Sequence, residues 1–252
     1  MCADELIIAL ADPGQIAALT EFARDPGLSF YADRARTLPI THRSAEEVLA
    51  LGPDLVIGAP YQTKAALAPL VGAHVPMVDL PMEDGLSGSD ASIRTVARAI
   101  GHPERGEAMI AHIHADLARI GLPPGRGRVA AYYQRQGYLS GAGTLVDDMM
   151  RRVGLTNLAT RIGRPALSKL SLEEMALARP DFLIMDGGTE TVSDRGSALL
   201  RHPLLNRVVP PARHIFIPQS LTVCGGPSYP QAVALLAERI RAADRAIVSP
   251  RR

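Results

Sequence analysis

The sequence lacks tryptophan, has only two cysteines, and contains no apolar run near the ~18–20 residues that a membrane-spanning helix needs. It also lacks a charge bias, since 27 Lys and Arg stand against 26 Asp and Glu and the formal net charge is +1. This balance argues against a nucleic-acid binder, because such proteins usually carry a clear basic surplus. The 252 residues, 47% hydrophobic and 21% charged, are sufficient to bury a core in one large domain or two lobes.

The N-terminus lacks the pattern of a secretory signal peptide, because Asp4 and Glu5 stand where a basic region would lie and no long apolar segment follows. Taken alone, this start predicts a cytoplasmic protein. The cysteines, Cys2 and Cys224, form neither a metal-binding spacing nor a CxxC pair. We therefore interpret them as two unrelated thiols.

Motifs of enzymes and metal sites are missing as well. The chain has no P-loop, GxGxxG, GxSxG or HExxH pattern, and the glycine turn at 141–144 is only a weak candidate for binding an anion at a helix start. His112 and His114 are two positions apart on a predicted helix and so point in different directions. We expect a protein that is not an enzyme, with no cofactor and no bare-metal site. The histidines are His42, His74, His102, His112, His114, His202 and His214.

The sequence does contain an internal repeat. Residues 44–58 read SAEEVLALGPDLVIG, and residues 171–185 read SLEEMALARPDFLIM. In each copy a serine precedes a glutamate by three positions, which predicts a capping box at a helix start. The helix should end before Pro53 or Pro180, because the residue before a proline avoids helical geometry. The short apolar run that follows predicts a buried parallel strand, so the repeat indicates two related lobes.

The segments around the two copies predict the same alternation of strands and helices. Predicted helices occupy residues 64–71, 144–153, 197–208 and 229–246, and predicted strands occupy residues 74–80, 128–134 and 213–218. Each lobe should therefore hold a mostly parallel sheet with helices on both faces.

Between the two copies, residues 92–120 are predicted to be helical, with a break at Gly101-His102-Pro103. The second part of this segment has an apolar stripe on one face, and we interpret it as the connection between the lobes. The fold class is therefore α/β, with two Rossmann-like lobes of mostly parallel sheets joined by a single long α-helix. The predicted boundaries are 1–100 for the N-terminal lobe, 101–122 for the connecting helix and 123–252 for the C-terminal lobe.

The paired helix–Pro-Asp–strand elements, the connecting helix and the GGPS at 225–228 resemble the class III periplasmic binding proteins. The resemblance implies the substrate-binding component of an ABC importer, located in the periplasm. Such a protein captures an iron–siderophore, haem or corrinoid between its lobes and delivers it to a permease dimer in the inner membrane. We expect a monomer without affinity for nucleic acid. A cytoplasmic metal-chelate sensor or chaperone of the same fold is the nearest alternative, and an enzyme is a more distant one.

The resemblance also implies that one glutamate on each lobe docks onto arginines of the permease. By position in the motif, these are Glu46 and Glu173. The capping boxes assign Glu47 and Glu174 to the helix starts. Glu46 and Glu173 are then left with no local role beyond a favourable helix dipole.

Candidate ligand contacts lie beyond the carboxyl ends of the predicted strands, where open parallel sheets bind ligands. The six tyrosines fall mainly at or near such loops, and tyrosine suits a large amphipathic chelate because it has an apolar face and a polar tip. Either Tyr132 or Tyr133 must face away from the ligand, since neighbours on a strand alternate. The predicted ligand-binding residues are Tyr31, Tyr61, Gln62, Tyr133, Arg135, Tyr138, Asp186, Gly226 and Tyr229.

The two lobes differ at their start. The second is predicted to open with a strand, whereas the first opens directly with a helix at about residues 3–10. Loss of an interior strand would remove several buried side chains at ~1.5–3 kcal/mol each, which rivals the ~5–15 kcal/mol stability of a domain. We therefore expect an upstream strand and a secretory signal before Met1.

Overall fold

The structure is a computed structural model that describes residues 1–42, 44–58, 74–80, 85–187 and 196–248. The chain divides into two compact units. The first unit comprises Met1–His114 with Val223–Ser228, and the second comprises Ala115–Thr222 with Tyr229–Arg252. The α/β class with mostly parallel sheets is confirmed.

The elements are numbered along the described part of the chain. The helices are α1 Cys2–Leu10, α2 Ala32–Ala35, α3 Ala45–Ala50, α4 Leu86–Ala99, α5 Pro103–Ala118, α6 Leu145–Arg152, α7 Leu158–Arg161, α8 Leu172–Ala178, α9 Pro203–Val208 and α10 Tyr229–Val248. The strands are β1 Leu19–Thr20, β2 Ile40–Thr41, β3 Val56–Gly58, β4 Met77–Asp79, β5 Val129–Tyr132, β6 Tyr138–Ser140, β7 Thr156–Asn157, β8 Leu167–Lys169, β9 Phe182–Asp186 and β10 His214–Ile217. Short 3-10 helices lie at Pro13–Gln15, Glu21–Arg24, Arg135–Gly137, Ala198–Arg201, Pro211–Arg213 and Gln219–Leu221.

The second unit is built on a four-stranded parallel sheet in the order β10-β9-β5-β7. Every residue of β5 and β9 is buried, as expected for central parallel strands covered on both faces. One face packs in a core that includes Tyr133, Leu158, Met175 and Leu205. A two-stranded antiparallel ribbon of β6 and β8 follows the end of β5.

The first unit has two separate parallel pairs, β1 with β2 and β3 with β4. In the second unit, β5 lies between β7 and β9 and joins them in one sheet. The part of the first unit that the structure describes has no strand in the place of β5. The upstream strand expected from the sequence stays a prediction.

The two copies of the repeat are each a helix followed by a strand, α3 with β3 and α8 with β9, as predicted. The helices end just before the prolines. In the first copy, Gly52 takes a left-handed conformation with φ 58°, which favours glycine at a helix end. In the second, Arg179 takes φ 44° directly before Pro180, because the proline ring disfavours the helical region there. The helix predicted over 64–71 lies outside the described residues.

The predicted helix over 197–208 is wrong in one respect. The chain forms a 3-10 helix at Ala198–Arg201 and then α9, with the extended residue His202 between them. Pro203 causes the break, because it excludes His202 from helical geometry. The His202 ring then caps α9, accepting a hydrogen bond from Leu204 N at 3.2 Å.

The interpretation of the cysteines as unrelated thiols is also wrong. Cys2 and Cys224 form a disulfide within the first unit, although they are 222 positions apart. The bond fastens the segment Val223–Ser228 to the first residue of α1. Sequence spacing could not predict this pair, since only the fold brings the two residues together.

Candidate functional site

The carboxyl ends of β5 and β9 lie side by side, because these two strands are parallel neighbours. The last residue of β5 is Tyr132, and the last residue of β9 is Asp186. The Tyr132 hydroxyl donates a hydrogen bond to Asp186 Oδ1 at 2.5 Å, and it lies 3.1 Å from Thr222 Oγ1. All three residues are buried, so they form a polar group in the interior of the second unit, at the edge of the sheet where ligands bind in open parallel folds.

Burial controls the protonation of this group. It raises the pKa of the Tyr132 hydroxyl well above its ordinary value, and the nearby Asp186 charge acts in the same direction. Burial also raises the pKa of the Asp186 carboxyl, although the hydrogen bond from Tyr132 lowers it. Tyr132 therefore stays protonated near neutral pH and remains a hydrogen-bond donor.

The β6–β8 ribbon places exposed groups next to the end of β5. Gln134 N donates to Tyr138 O at 2.7 Å, which joins the ribbon to the strand. On the ribbon, Tyr138 pairs with Lys169, and the Lys169 ammonium lies 5.2 Å from the centre of the Tyr138 ring. Among the described residues, the Lys169 ammonium contacts this ring, and no carboxylate pairs with it. The ribbon therefore presents an aromatic ring with a cation close to it.

Arg135 is exposed in the turn between β5 and β6. A Cβ at Gly196 would lie 2.6 Å from Arg135 Nη2, so glycine allows the guanidinium to lie against the chain there. The same turn is held by Gln136 N, which donates to Gly196 O at 2.8 Å. Arg135 thus adds a second positive charge to the loop that follows β5.

Other predicted ligand contacts lie in the core of the second unit. Tyr133 is fully buried, and its hydroxyl donates to Leu170 O at 2.7 Å. Burial raises the pKa of this hydroxyl to about 12. Tyr229 is buried as well and donates to Asp148, while Arg152 Nε donates to the Tyr229 oxygen at 3.1 Å. In this conformation neither tyrosine offers surface to a ligand.

Two further predicted contacts belong to the first unit. Tyr31 is half-buried against the ring of Phe30, at 4.9 Å between centroids, and the Arg34 guanidinium lies 4.9 Å from the Tyr31 ring. Gly226 is buried with φ 96°, and a Cβ there would lie 3.5 Å from Leu6. Tyr61 and Gln62 lie outside the described residues.

Sequence reasoning missed three residues of this region. The alternation rule showed that one of Tyr132 and Tyr133 faces the ligand side of the sheet without showing which. In the structure it is Tyr132 that bonds Asp186. Thr222 and Lys169 carry no local signal in the sequence, because their contacts depend on β-strand pairing and on a residue 90 positions away. Only their positions after strand β10 and before the second repeat could have drawn attention to them.

The predicted docking residues are the second residues of two helices, Glu46 in α3 and Glu173 in α8. Both are exposed. Within the described residues, neither carboxylate accepts a hydrogen bond or forms an ion pair. Their neighbours behave differently, since Glu174 accepts a hydrogen bond from Ser171 N at 2.9 Å and also pairs with Arg164. Glu173 and Glu46 are thus carboxylates without a structural task in their own helices.

One of the two predicted capping boxes is wrong. At α8 both reciprocal hydrogen bonds are present. At α3 Ser44 Oγ accepts from Glu47 N at 3.1 Å, but the Glu47 carboxylate accepts from Thr41 Oγ1 at 2.8 Å and from His42 N at 2.6 Å. The Thr41 hydrogen bond is the main cause of the lowered pKa of Glu47. The last residue of strand β2, Thr41, and the residue after it, His42, supply these competing donors.

Within the described residues, no cluster of three or more His, Cys, Asp or Glu side chains has the arrangement of a metal site. A search of the same residues finds no helix with the length and apolar character to cross a membrane. The arrangement at the end of β5 instead combines a buried hydrogen-bonding group with a half-buried ring and two cations. Such a surface can orient an amphipathic, anionic small molecule.

The sequence profile of the family described as periplasmic binding protein matches residues 2–214. The chain therefore belongs to this family, whose members are binding proteins. None of the curated proteins matches it.

Solved structures share the fold. The periplasmic heme-binding protein RhuT from Roseiflexus sp. RS-1, in apo form, is 25% identical over 97% of this chain and 95% of that chain, with a TM-score of 0.71. The periplasmic heme-binding protein BhuT in complex with two hemes is 25% identical over 96% of each chain, with a TM-score of 0.73. The periplasmic vitamin B12 binding protein BtuF of Vibrio cholerae is 14% identical over 96% of this chain and 94% of that chain, with a TM-score of 0.70, and shows the fold alone.

Proposed function

We propose that the protein is the substrate-binding component of an ABC importer and that it delivers a metal chelate to a membrane permease. The observation that carries the proposal is the family match over residues 2–214. It is supported by the two repeated helices, each of which exposes a glutamate with no partner among the described residues. Haem is the first candidate ligand, and a corrinoid or an iron–siderophore is the alternative.

The choice of haem has two supports. Two neighbours at 25% identity, RhuT and BhuT, are heme-binding proteins by name. In addition, haem is a flat apolar macrocycle with two carboxylates, whereas the corrin ring of cobalamin carries amides in place of carboxylates. Tyr138 offers an aromatic face, and Lys169 offers positive charge beside it. Charge-assisted hydrogen bonds from such a cation favour a ligand with carboxylates.

We infer that the protein works in the periplasm. The Cys2–Cys224 disulfide supports this location, because disulfides persist in oxidising compartments and are rare in a reducing cytosol. The cytoplasmic sensor or chaperone is correspondingly less well supported. Blocking free thiols in cells before purification tests the location, since protein from its natural compartment should show no labelled cysteine.

Ligand titration tests the choice of haem. The purified protein is titrated with haem, cobalamin and a ferric hydroxamate, using absorbance and calorimetry because the chain has no tryptophan. Haem should bind most tightly. Lys169→Gln should weaken haem binding about tenfold, which corresponds to ~1.4 kcal/mol, while Tyr138→Ala should remove the aromatic contact. Tighter binding of cobalamin, or no binding of any of the three, would contradict the proposal.

Matched controls separate the local effect from a change in overall charge. Arg239→Gln removes an exposed cation on α10 of the same unit and should leave haem affinity unchanged. Haem dimethyl ester lacks the carboxylates, so Lys169→Gln should weaken its binding little. Lys169 is one of two lysines in the chain, the other being Lys64. Isotope-labelled lysine methylation therefore gives a nearly residue-specific signal for ligand contact.

We further propose that Glu46 and Glu173 dock onto cationic side chains of the permease. Reversing both charges, Glu46→Arg with Glu173→Arg, should abolish uptake and leave ligand affinity unchanged. Loss of one partner of a charge pair at an interface costs ~2–5 kcal/mol, far more than loss of an exposed pair. Glu104 is the control, because it is another exposed glutamate in the first turn of a helix. Glu104→Arg should leave uptake unchanged. If the double reversal also leaves uptake unchanged, the docking role is refuted.

A further inference from the structure

Exposed leucines gather on the two repeated elements. The described residues expose six large hydrophobic side chains, and three of them belong to α3, its C-terminal cap and α8. Leu177 in α8 is 85% exposed, and Leu49 and Leu51 at the end of α3 are 39% and 45% exposed. The others are Leu122, Ile162 and Leu167. Both elements are short, so this concentration is far above what their share of the chain would give.

Leu177 and Leu49 each lie one turn from the glutamate on their own helix, and Leu51 follows at the C-terminal cap of α3. Glu173 and Leu177 are four positions apart and Glu46 and Leu49 are three apart, which are the spacings that place two side chains on one helix face. The opposite face of α8 is anchored in the core by Met175, which is fully buried. The outer face of each helix therefore combines an apolar side chain with a carboxylate, one turn earlier, that has no partner among the described residues.

We propose that Leu177, and Leu49 with Leu51, are apolar anchors of the permease-docking surface, each filling an apolar depression beside the cation that meets the adjacent glutamate. This inference rests on the proposed function, because it takes the permease as the partner of Glu46 and Glu173. Binding energy at interfaces concentrates in a few desolvated side chains, with charged groups setting orientation and specificity. A glutamate alone would set orientation and specificity without supplying most of the binding energy.

The charge on this face excludes two other occupants. A second copy of the chain that used the same face of α8 would bring two Glu173 side chains together, and like charges repel. An anionic lipid surface would repel them for the same reason. The combination of carboxylate and leucine fits a partner that presents a cation next to an apolar depression, and the presence of one such pair in each unit fits a permease with two similar halves.

The test compares exposed leucines. Leu177→Ser, and Leu49→Ser with Leu51→Ser, are each measured against Leu122→Ser. Leu122 is 88% exposed outside both repeats, so its variant removes an equally exposed leucine elsewhere. Affinity for the reconstituted permease–ATPase complex and ligand uptake are measured for each. Leu177→Ser should weaken the complex at least tenfold with ligand affinity unchanged, Leu177→Met should restore most of it, and Leu122→Ser should match the wild type.

The outcomes separate this inference from the proposed function. If the double glutamate reversal abolishes uptake but Leu177→Ser behaves like Leu122→Ser, the anchors are refuted and the docking role stands. If neither change affects uptake, the docking role itself fails. Sedimentation that shows a wild-type dimer lost in Leu177→Ser, or binding to anionic vesicles without permease, would assign the leucines to a second copy or to the membrane and overturn the inference. Circular dichroism and ligand titration show whether each variant is folded.

Discussion

Cys2 is joined to Cys224 by a disulfide that closes a loop spanning 222 positions and fastens the segment 223–228 to the start of α1. Cys224 is almost fully buried and Cys2 is partly exposed. This segment belongs to the first unit, whereas the residues before it and after it in the chain belong to the second. Such a cross-link stabilises the folded state, because it lowers the conformational entropy of the unfolded chain.

Replacing both cysteines with serine should therefore destabilise the first unit. A loop of this length is worth about 5 kcal/mol in unfolded-chain entropy, and measured effects are commonly about 2–4 kcal/mol. Urea unfolding with and without reductant measures the change, and the serine variant should not respond to reductant. Two reactive thiols in the folded, non-reduced wild type would contradict the bond.

The hydrogen bond from Tyr132 to Asp186 should contribute to stability as well as to the proposed site. Tyr132→Phe keeps the ring and removes the hydroxyl, so the buried Asp186 and Thr222 each lose a partner. The expected loss is about 1–3 kcal/mol in the free energy of unfolding. Tyr138→Phe is the control, since its ring is only half-buried, and should change stability by less than about 0.5 kcal/mol.

The half-buried imidazole of His214 predicts a pH dependence. Burial lowers its pKa below the ordinary value, against a smaller opposite effect of the Val209 carbonyl, which lies 2.9 Å from Nε2. The unfolded chain therefore binds more protons than the folded chain as pH falls through about 6.5. The contribution of the neutral His214 imidazole to the free energy of unfolding is fully present above about pH 6.5. It is lost as the pH decreases through the lower pKa of the folded state. His214→Gln should show a flatter change in unfolding free energy between about pH 7 and 5, and an unchanged slope would contradict this explanation.

The last helix is held to the sheet by a two-point ion pair. Arg128 Nη1 and Nη2 lie 2.5 and 3.0 Å from the two carboxylate oxygens of Asp244, and the pair holds the pKa of Asp244 below its ordinary value. Both side chains are partly exposed, at 21% and 32%, so solvent screening limits the gain. Asp244→Asn should cost about 1 kcal/mol.

Asp33 provides the comparison for this pair. It bonds Arg36 three residues away, and the two side chains are 87% and 75% exposed, so Asp33→Asn should cost close to nothing. Thermal unfolding in low and high salt measures both variants. Equal losses at Asp244 and Asp33 would show that the two-point geometry adds nothing.

The sequence predicted the repeated elements well because their signals are local. Ser171 and Glu174 form the expected box, and α8 ends at Ala178, with Arg179 leaving helical geometry directly before Pro180, since capping and proline sterics act within a few residues. The same reasoning failed at Glu47, where donors from a neighbouring strand displaced the box. The prediction of one helix over 197–208 also failed, because Pro203 excludes His202 from helical geometry.

The candidate site was predicted only in part. The position of Asp186 at a strand end followed from the pattern of β9, and the turn with Arg135 and Tyr138 followed from the end of β5. The assignment of Tyr133 as a ligand contact had no such basis, because alternation on a strand shows that two neighbours face opposite ways without showing which faces the core. Packing against Leu158 and Met175 decided that question.

By itself, the sequence determined the internal repeat, in which each copy is a helix followed by a strand, and the positions of Glu46 and Glu173 in the first turns of these helices. These follow from propensity, capping and periodicity, which act over one or two turns. Only the tertiary structure decided that Cys2 meets Cys224, that Tyr132 meets Asp186 and that Lys169 lies over Tyr138. These pairs are 31 to 222 positions apart in the chain, and strand register and packing, which no local pattern encodes, bring them together.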